Sequence, residues 1–360
     1  MLRQIRERTL AGKRLDRAEG HWLLTEAPLL DLGSVAQEAR FQRIPDKRVT
    51  FVIDSNPNYT NVCITDCQFC AFYRKPGDKE AWTLTVEEVM AKVDAAARQG
   101  ATTVLLQGGH NPALPLDYYL SLVRETVRRF PGVTPHYFTA SEICTIAEVS
   151  GKTMPEILAL LREAGQSTLP GGGAEVLSEK VRRRIEPKKG GPAAWLDVHR
   201  EAHRQGFKST ATMMYGHVET LSERVEHMSR IRELQDETRG FRAFISWTFQ
   251  DDGNRLGAKV SRDAMPTSFD YLLTQAVSRI YLDNVDHIQS SWVTQGMKIG
   301  QVALEFGADD LGSIMIEENV VSAAGTTYRA STDDFVRTIK GLGKIPVQRD
   351  TLYRDVRVWN

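Results

Sequence analysis

Short apolar runs alternate with longer amphipathic runs along most of this chain of 360 residues. Apolar runs of this length, bounded by glycine and polar residues, are typical of strands in a buried parallel sheet. Eight segments have this character, and we predict a strand in each of them: 49–54, 102–107, 136–140, 166–169, 207–213, 241–247, 287–292 and 311–315.

The amphipathic runs between the predicted strands carry helix start and stop signals. In four of them a Ser or Thr precedes an acidic residue by three positions, the pattern of a capping pair: Thr85 with Glu88, Thr153 with Glu156, Thr220 with Glu223, and Ser331 with Asp334. Three helices are predicted to end before Gly100, Gly165 and Gly206, because glycine adopts the left-handed conformation without a Cβ clash.

The alternation amounts to about eight strand–helix repeats without an intervening linker. Such a pattern predicts an α/β fold of the (β/α)8 TIM-type barrel class, or a partly open version of one. We assign the barrel and a C-terminal extension to residues 46–360, and an N-terminal helical leader to residues 1–45. Functional residues of such a barrel follow the carboxyl ends of its strands.

The charged side chains balance, with 46 Lys and Arg against 46 Asp and Glu. A neutral chain lacks the basic footprint of a nucleic-acid-binding protein, so we expect no nucleic-acid partner. The sequence contains no apolar stretch close to the roughly 20 residues that cross a bilayer, and its amino terminus lacks the apolar core of a signal peptide. We therefore expect a cytoplasmic protein with no membrane partner.

Three of the four cysteines, Cys63, Cys67 and Cys70, lie within eight residues, whereas Cys144 is remote in sequence. This spacing indicates a metal-ligand set and not a disulfide framework. Three thiolates are able to bind three irons of a cubane cluster and leave the fourth iron open. A zinc knuckle, an ordinary electron-transfer cluster and chance clustering are the alternatives.

Two glycine-rich turns follow predicted strands. Gln107, Gly108 and Gly109 end the second strand, where the glycines expose backbone groups to the barrel mouth, unless they form only a tight turn. The segment 169–175 ends in Glu175, whose carboxylate is suited to accept both hydroxyls of a ribose. Its alternative role is to cap the following helix.

The fifth predicted strand leads into Met213, His217 and Glu219. Methionine packs well on a flat ring such as adenine, although a position in the barrel core is an equal alternative. His217 has the ordinary pKa of a general base near neutral pH, but a lone histidine is as often a hydrogen-bonded spacer.

Aromatic residues between small polar residues follow the sixth and seventh strands, and a polar segment follows the last. This mixture suits a flat aromatic substrate that carries hydroxyls and a carboxylate, although tryptophans at barrel rims also serve as scaffold packing. We predict substrate contacts at Ser246, Trp247, Gln250, Ser291, Trp292 and Asn319.

The cysteine spacing, with Phe69 inside it and an aromatic run after Cys70, resembles the signature loop of the radical S-adenosylmethionine (SAM) superfamily. The resemblance implies a 4Fe–4S cluster held by Cys63, Cys67 and Cys70, with SAM on the open iron. It also implies a barrel fold and homolytic cleavage of SAM to a 5′-deoxyadenosyl radical.

The same resemblance implies contacts with the cofactor. Gln107, Gly108 and Gly109 correspond to a Gly-Gly-Glu-like segment of the superfamily, although no Glu follows the glycines here. Arg183 or Lys189 would pair with the cofactor carboxylate, unless these charges belong to a solvated helix face. The implied cofactor contacts are Phe69, Gln107, Gly108, Gly109, Ser141, Glu175, Arg183 and Met213.

Over nearly its whole length the sequence is similar to the dehypoxanthine futalosine cyclases of the futalosine route to menaquinone. The most specific segments are 58–63, 70–74, 107–109, 169–175, 213–219 and 348–353. The similarity implies a nucleoside-like substrate that carries a benzoate, and hydrogen abstraction from its ribose followed by radical addition to the benzoate ring. His217, Glu219 and Asp283 are the candidate bases for the ring proton.

The similarity also implies a reducing electron donor such as flavodoxin or ferredoxin. Two related activities share parts of these motifs: aminofutalosine synthase, which adds the radical to an enolpyruvyl benzoate, and the radical halves of deazaflavin synthase. The stretch 72–77 after Cys70 favours the cyclase. A non-catalytic iron–sulfur electron carrier is the alternative from another class of protein.

Overall fold

The computed structural model describes residues 1–261, 263 and 265–360. Eight strand positions surround a central axis, as the sequence predicts for a (β/α)8 barrel. The first position is shared by β1 and β2, which are interrupted at Ile53. The strands are β1 (Arg48–Val52), β2 (Asp54–Ser55), β3 (Thr103–Leu106), β4 (Thr134–Tyr137), β5 (Thr168–Leu169), β6 (Lys208–Tyr215), β7 (Phe241–Thr248), β8 (His287–Gln289) and β9 (Asp310–Ser313).

All pairings around the barrel are parallel, and they form two hydrogen-bonded sections. One section is β2-β3-β4, and the other runs from β5 through β9 to β1. Side chains bridge the seam between β4 and β5: Gln166 Nε2 donates to the Tyr137 carbonyl at 2.7 Å, and Thr168 Oγ1 donates to that of Pro135 at 3.3 Å. The barrel is therefore partly open in its backbone ladder at this seam.

Helices cover the outside of the sheet, and all four predicted capping boxes form. Gly100, Gly165 and Gly206 have positive φ angles of 88°, 107° and 88°, as predicted for helix ends. The helices around the barrel are α4 (Val86–Arg98), α5 (Leu116–Arg129), α6 (Ala140–Ser150), α7 (Met154–Glu163), α8 (Glu179–Ile185), α9 (Pro192–Arg204), α10 (Leu221–Thr238), α11 (Ser268–Tyr281), α12 (Trp292–Ala303) and α13 (Thr332–Lys340).

Three helices precede the first strand. They are α1 (Leu2–Leu10), α2 (Arg17–Thr25) and α3 (Leu29–Arg43). The second and third pack on helices of the barrel, α2 on α10 and α3 on α11. The division of the chain at residue 45 stays a prediction. None of the helices in the described residues combines the length and apolar character that a membrane crossing requires.

The C-terminal segment closes the amino-terminal end of the barrel. Strand β10 (Ile345–Arg349) pairs in parallel with β1, and β11 (Asp355–Val358) returns antiparallel to it. The turn between them brings Thr351 Oγ1 to 2.6 Å from Thr103 Oγ1, and it stacks the ring of Tyr353 on His287 at 3.7 Å between centroids. The sequence pattern predicted an extension here but not that it forms the floor of the barrel.

Candidate active site

A cavity of about 360 Å³ lies inside the barrel on the side of its carboxyl strand ends. The predicted site residues that line it are Cys63, Cys67, Phe69, Cys70, Gln107, Gly108, Gly109, Ser141, Glu175, Trp247, Ser291 and Trp292. The predicted site residues outside its lining are Arg183, Met213, His217, Glu219, Ser246, Gln250, Asp283 and Asn319.

The cysteine loop follows β2 and presents its three sulfurs to the cavity. Cys63 and Cys67 are buried, Cys70 is half-buried, and none of them is in a disulfide. The Cys63 N–H donates to the Arg74 carbonyl at 2.8 Å, and the Thr65 hydroxyl lies 3.0 Å from Cys63 Sγ and 3.6 Å from Cys67 Sγ. Backbone and side-chain bonds thus hold the loop in a defined conformation.

The chemistry of the three thiols fits iron–sulfur ligation. Burial raises the pKa of the Cys67 thiol to about 12, and it also raises the pKa of Cys70. A metal has to displace these protons, because the thiolate is the form that binds. Among the described residues no three His, Cys, Asp or Glu side chains are grouped closely enough to bind one ion. A cubane spreads its cysteines over three irons, so they need not converge on a single point.

The turn formed by Gly108 and Gly109 lies directly against the cysteine loop. A Cβ atom at Gly109 would lie 2.1 Å from the Val62 carbonyl oxygen and 3.0 Å from Cys63 Cβ, and a Cβ at Gly108 would lie 2.6 Å from the ring of Tyr59. Only glycine fits at these two positions. The turn therefore presents its backbone to the cavity beside the cysteines.

Glu142 fixes this turn, and it was not among the predicted site residues. Its carboxylate lines the cavity and accepts hydrogen bonds from the Gly108 N–H at 3.0 Å and the Tyr59 hydroxyl at 2.7 Å. It also accepts from the Thr139 N–H at 2.8 Å and the Thr139 hydroxyl at 2.7 Å. Burial raises the pKa of Glu142, although these donors oppose the rise. A signal was present, because Thr139 and Glu142 have the spacing of a capping box.

Glu175 and Lys189 lie together on the side of the cavity next to the cysteine loop. Lys189 Nζ is 3.6 Å from Glu175 Oε1 and 3.3 Å from Glu186 Oε2, and it lies 5.4 Å from the centre of the Phe69 ring. Burial opposes the charge of Lys189, but Cys67, Glu186 and Glu175 outweigh it and raise the pKa of Lys189 well above its ordinary value. Lys189 is therefore a buried cation that faces the cavity.

Arg183 does not face the cavity, which corrects the prediction that it contacts the cofactor. Its side chain is 80% exposed and lies 3.8 Å from Glu179 on the outer face of α8. The preceding residue, Arg182, points inward and pairs with buried Glu186 at 2.7 Å. Successive helical residues are about 100° apart around the axis, so the two arginines cannot share a face.

Met213 and Ser246 also face away from the cavity, for a reason that strand geometry supplies. Side chains alternate between the two faces of a strand. On β6 the cavity receives Thr210 and Thr212, so Met213 packs in the buried core behind the sheet. On β7 it receives Trp247, so Ser246 is fully buried on the opposite face.

Gln250 and Asn319 lie in loops outside the cavity lining, and their amides bind protein groups. Gln250 Nε2 donates to the Thr248 carbonyl at 3.0 Å. Asn319 Nδ2 donates to Asn58 Oδ1 at 3.1 Å and to Glu317 Oε1 at 3.0 Å. Both side chains organise the loops next to the cavity, in contrast to the predicted substrate contact.

His217 and Glu219, two of the predicted bases, do not face the cavity. Their side chains form hydrogen bonds within and beside the turn after β6. The His217 Nδ1 accepts from the Val218 N–H at 2.7 Å, and its Nε2 donates to the Met214 carbonyl at 3.1 Å. Burial lowers the pKa of His217. The side chain of Glu219 is fully buried and accepts from Arg224 Nε at 2.8 Å.

Asp283 lies at the other end of the barrel from the cavity mouth, which also corrects its prediction as a base. It precedes β8, so it belongs to the amino ends of the strands. Its carboxylate lies 3.0 Å from Arg14 of the leader and is 34% exposed. The three predicted bases are therefore all outside the cavity.

Asp54 is a cavity-lining carboxylate that was not among the predicted site residues. It begins β2 in the first strand position, and one of its oxygens accepts a hydrogen bond from the Ser313 hydroxyl. Burial raises its pKa to about 6, although Ser313 and the buried guanidinium of Arg349 oppose the rise. The signal was its place at the carboxyl end of a predicted strand.

The aromatic side of the cavity is built from β7, β8 and β9. Trp247, Ser291 and Trp292 line it together. The Trp292 indole N–H donates to the Ser313 carbonyl at 2.8 Å, which fixes the ring, while Trp247 is only half-buried. The cavity thus has cysteines and a glycine turn on one side and aromatic rings on the other.

Comparison with known proteins places this chain among radical SAM enzymes. Residues 57–231 match the radical SAM superfamily, and residues 238–359 match the CofH/MqnC C-terminal region. The chain is 42% identical over 99% of its length to the cyclic dehypoxanthine futalosine synthase of Halalkalibacterium halodurans, of which it covers 95%. It is also 42% identical over 99% of its length to the aminodeoxyfutalosine synthase of Thermus thermophilus, of which it covers 96%.

Solved structures support the same fold. Methylornithine synthase superposes with a TM-score of 0.74 at 17% identity, over 94% of this chain and 96% of that one. The hydrogenase maturase HydG superposes with a TM-score of 0.75 at 17% identity, over 96% of this chain and 76% of that one. Radical SAM enzymes bind a 4Fe–4S cluster and SAM. This chain belongs to the radical SAM superfamily, in the group of enzymes that share the CofH/MqnC C-terminal region.

Proposed function

We propose that this protein is a radical SAM cyclase that converts dehypoxanthine futalosine to cyclic dehypoxanthine futalosine on the futalosine pathway to menaquinone. Relatives with the name cyclic dehypoxanthine futalosine synthase support the proposal at 42% and 40% identity, over 99% of this chain in each case. The observation that carries it is a cavity in which the three cysteines face a wall containing Trp247 and Trp292.

The proposed cluster ligands are Cys63, Cys67 and Cys70, which present soft sulfur donors from one ordered loop. When bound, the cluster and SAM supply a 5′-deoxyadenosyl radical, the step that protein side chains cannot perform. The role of the protein is then to hold SAM and the substrate in the correct relative position and to exclude water from the cavity.

The proposed SAM contacts follow from the charges on the cofactor side. Glu175 accepts the ribose hydroxyls, and Lys189 pairs with the carboxylate of the methionine moiety in place of the predicted Arg183. The backbone at Gly108 and Gly109 receives the amino group. Phe69 and Ser141 complete this side, with the ring of Phe69 against adenine.

The proposed substrate site consists of the aromatic rings and the Ser291 hydroxyl on the side of the cavity opposite the cysteines. Trp247 and Trp292 hold the benzoate ring, and Ser291 binds its polar groups. Hydrogen is taken from the 4′ carbon of the ribose, and this carbon then bonds to the benzoate ring of the same molecule. In such an internal addition, positioning contributes most of the acceleration, because the effective molarity of aligned groups is about 10⁵–10⁸ M.

Aminofutalosine synthesis is the second candidate, because the Thermus thermophilus relative is equally similar at 42% identity. The two reactions differ in the fate of the radical. The cyclase releases 5′-deoxyadenosine, whereas the synthase incorporates the deoxyadenosyl group into its product.

The discriminating experiment is anaerobic reconstitution with iron and sulfide, followed by incubation with SAM, dithionite as the reductant and either substrate. Dehypoxanthine futalosine should give 5′-deoxyadenosine and the cyclic product in equal amounts by mass spectrometry. Product formed only from the enolpyruvyl benzoate, with the adenosyl carbons incorporated, would overturn the proposal in favour of the synthase. A third incubation with tyrosine and 5-amino-6-(D-ribitylamino)uracil tests the substrates in the names of relatives that are 39% identical.

We also propose the setting of the reaction. SAM cleavage requires a low-potential electron donor, of the flavodoxin or ferredoxin type. Open iron and free thiols require a reducing compartment, which supports action in the cytoplasm.

A further inference from the structure

We infer that a basic rim around the outer edge of the cysteine loop, formed by Lys75, Lys188, Arg255 and Lys259, docks an acidic single-electron carrier protein. The inference rests on the proposed function, since a radical SAM enzyme has to receive its electron from a partner. Three chain segments converge to form the rim: the end of the cysteine loop, the short turn after α8, and the loop after β7.

The rim encloses the two residues that flank Cys67. Lys188 Nζ lies 2.8 Å from Asp66 Oδ2, and an Arg255 guanidinium nitrogen lies 3.9 Å from Asp66 Oδ1. On the other flank, Lys259 Nζ donates to Gln68 Oε1 at 2.8 Å. A protein seated on Asp66 and Gln68 is therefore one residue from a proposed cluster ligand.

The rim carries excess positive charge and is open to solvent. The hydrogen bond and charge of Lys188 lower the pKa of Asp66, and the charges of Lys75 and Arg255 lower it further. Asp66 is the carboxylate that Lys188, Lys75 and Arg255 share, so its one negative charge does not neutralise these three cations, and Lys259 lies beside Gln68. The side chains of Lys188 and Arg255 are 57% and 53% exposed, and Lys75 and Lys259 are exposed as well.

This concentration is local, because the whole chain has a formal net charge of zero. An apolar side chain, Ile64, lies at the edge of the rim with 40% exposure, and its carbonyl accepts from Lys188 Nζ at 3.2 Å. A small apolar patch bordered by charge matches a transient redox interface, which typically buries less than about 1,200 Å². Opposite charge on the partner raises the association rate without requiring a large contact.

The test compares charge reversal at the rim with charge reversal elsewhere. The rim variant is Lys75→Glu with Lys259→Glu, which leaves the two cations that contact Asp66 in place. The control variant is Lys13→Glu with Lys298→Glu, two exposed lysines on the leader and on α12. Each reconstituted protein is assayed with a reduced acidic flavodoxin and with dithionite, and the Kd for oxidised flavodoxin is measured by calorimetry at low and high salt.

We expect the rim variant to weaken flavodoxin binding by at least roughly tenfold at low salt, with a reduced dependence on salt. Its 5′-deoxyadenosine formation with dithionite should equal that of the wild type. Equal Kd values for the wild type and the rim variant, or equal losses in rim and control variants, would overturn the inference. Failure of the proposed function has a different signature, in which no donor yields cyclic product while flavodoxin binding still depends on the rim.

A separate observation carries a second inference: we infer that Asp54 accepts the proton that the benzoate ring loses. Bond formation between the ribose carbon and the ring leaves one electron and one proton to remove before the ring is aromatic again. The oxidised iron–sulfur cluster would take the electron when bound, and a carboxylate in the cavity takes the proton. This inference also rests on the proposed function.

Three other carboxylates line the cavity, and each is committed elsewhere. Glu142 accepts four hydrogen bonds, and Glu318 accepts three from backbone N–H groups. Glu175 pairs with Lys189 on the cofactor side. Among the described residues only Ser313 donates to the side-chain carboxylate of Asp54, and the Ser313 carbonyl binds the indole of Trp292, so Asp54 lies beside the aromatic wall.

The charged groups around Asp54 are Arg349 from β10, which lowers its pKa, and Asp310 from β9, which raises it. The balance gives a pKa of about 6. Asp54 is then ionised at neutral pH and able to accept a proton.

Asp54→Asn should release 5′-deoxyadenosine while cyclic product falls by roughly 100-fold or more, in the range of lost general base catalysis. The wild-type cyclisation rate should fall on acidification through a pKa near 6. Ser313→Ala should move that limb to higher pH, because it removes a donor that stabilises the carboxylate. Full cyclisation by Asp54→Asn, or an unmoved pH profile in Ser313→Ala, would overturn the assignment.

Discussion

The carboxylate of Glu142 and the amide of Gly108 are joined by a hydrogen bond of 3.0 Å. This contact connects helix α6 to the glycine turn that lies against the cysteine loop. Glu142, on the helix of one strand–helix unit, therefore fixes the position of the Gly108 backbone in the preceding unit. Accurate placement of the turn matters, because its exposed groups are proposed to bind the amino group of SAM.

Glu142→Gln should weaken this arrangement, because an amide replaces one of two oxygens that each accept two hydrogen bonds. We expect the free energy of unfolding to fall by about 2–3 kcal/mol, the usual cost of leaving buried partners of a charged group unpaired. SAM affinity should fall with it. Chemical denaturation and equilibrium dialysis measure the two effects, and Glu148→Gln on the exposed face of the same helix is the matched control. Unchanged SAM affinity in Glu142→Gln would contradict the proposed role of the turn.

Replacement of any one of Cys63, Cys67 and Cys70 by Ser should abolish a stable cluster. Three ligands are the minimum for the proposed site, and a hydroxyl is a poor ligand for iron compared with a thiolate. Iron content and the visible absorption of the reconstituted protein measure the loss, and SAM cleavage should fall below detection. Cys144→Ser is the control, since Cys144 is exposed on α6. A wild-type iron content in any of the three loop variants would exclude that residue as a ligand.

Lys189→Gln should weaken SAM binding, whereas Arg183→Gln should not. A charge-assisted hydrogen bond contributes about 1.5–3 kcal/mol, which corresponds to roughly 10- to 150-fold in Kd. Both residues are basic and lie six positions apart, but only Lys189 faces the cavity. Calorimetric titration of SAM into the reconstituted proteins measures the difference. Equal Kd values for the two variants would reject Lys189 as the carboxylate partner.

Trp247→Ala should separate SAM cleavage from cyclisation. The half-buried ring forms part of the wall proposed to hold the benzoate, and misplacement of a reacting group by about 1 Å costs on the order of 100-fold. We expect 5′-deoxyadenosine to form in excess over cyclic product, with the ratio returned toward one by Trp247→Phe. Quantitative chromatography of both nucleosides provides the measurement. A ratio near one in Trp247→Ala would show that this ring does not position the substrate.

Sequence patterns sufficed for the barrel because short apolar runs, capping pairs and helix-ending glycines are local signals. They also indicated the loops that reach the cavity. Side-chain direction was harder to predict. The predicted contacts of Met213 and Ser246 were wrong because a shift of one residue along a strand moves the side chain to the other face. The predicted contact of Arg183 was wrong because the side chains of adjacent helical residues point in different directions.

Other differences arose from contacts between distant segments. His217 has the chemistry of a base, but the turn around it uses both ring nitrogens. Asp283 was misplaced because it precedes its strand. Glu142 and Asp54 acquire their surroundings from the glycine turn and from β9, and no local pattern shows those pairings. Their spacing and strand-end position could nevertheless have drawn attention to them.

The turn between β10 and β11 leaves the barrel with a blocked base. Thr351 and Tyr353 fill the amino-terminal end of the barrel, which would otherwise be open to solvent. SAM and the substrate must then enter the cavity from the same end of the barrel, where the cysteine loop lies. The molecule that binds first lies deeper in the cavity than the second. This arrangement favours ordered binding and release over a random order.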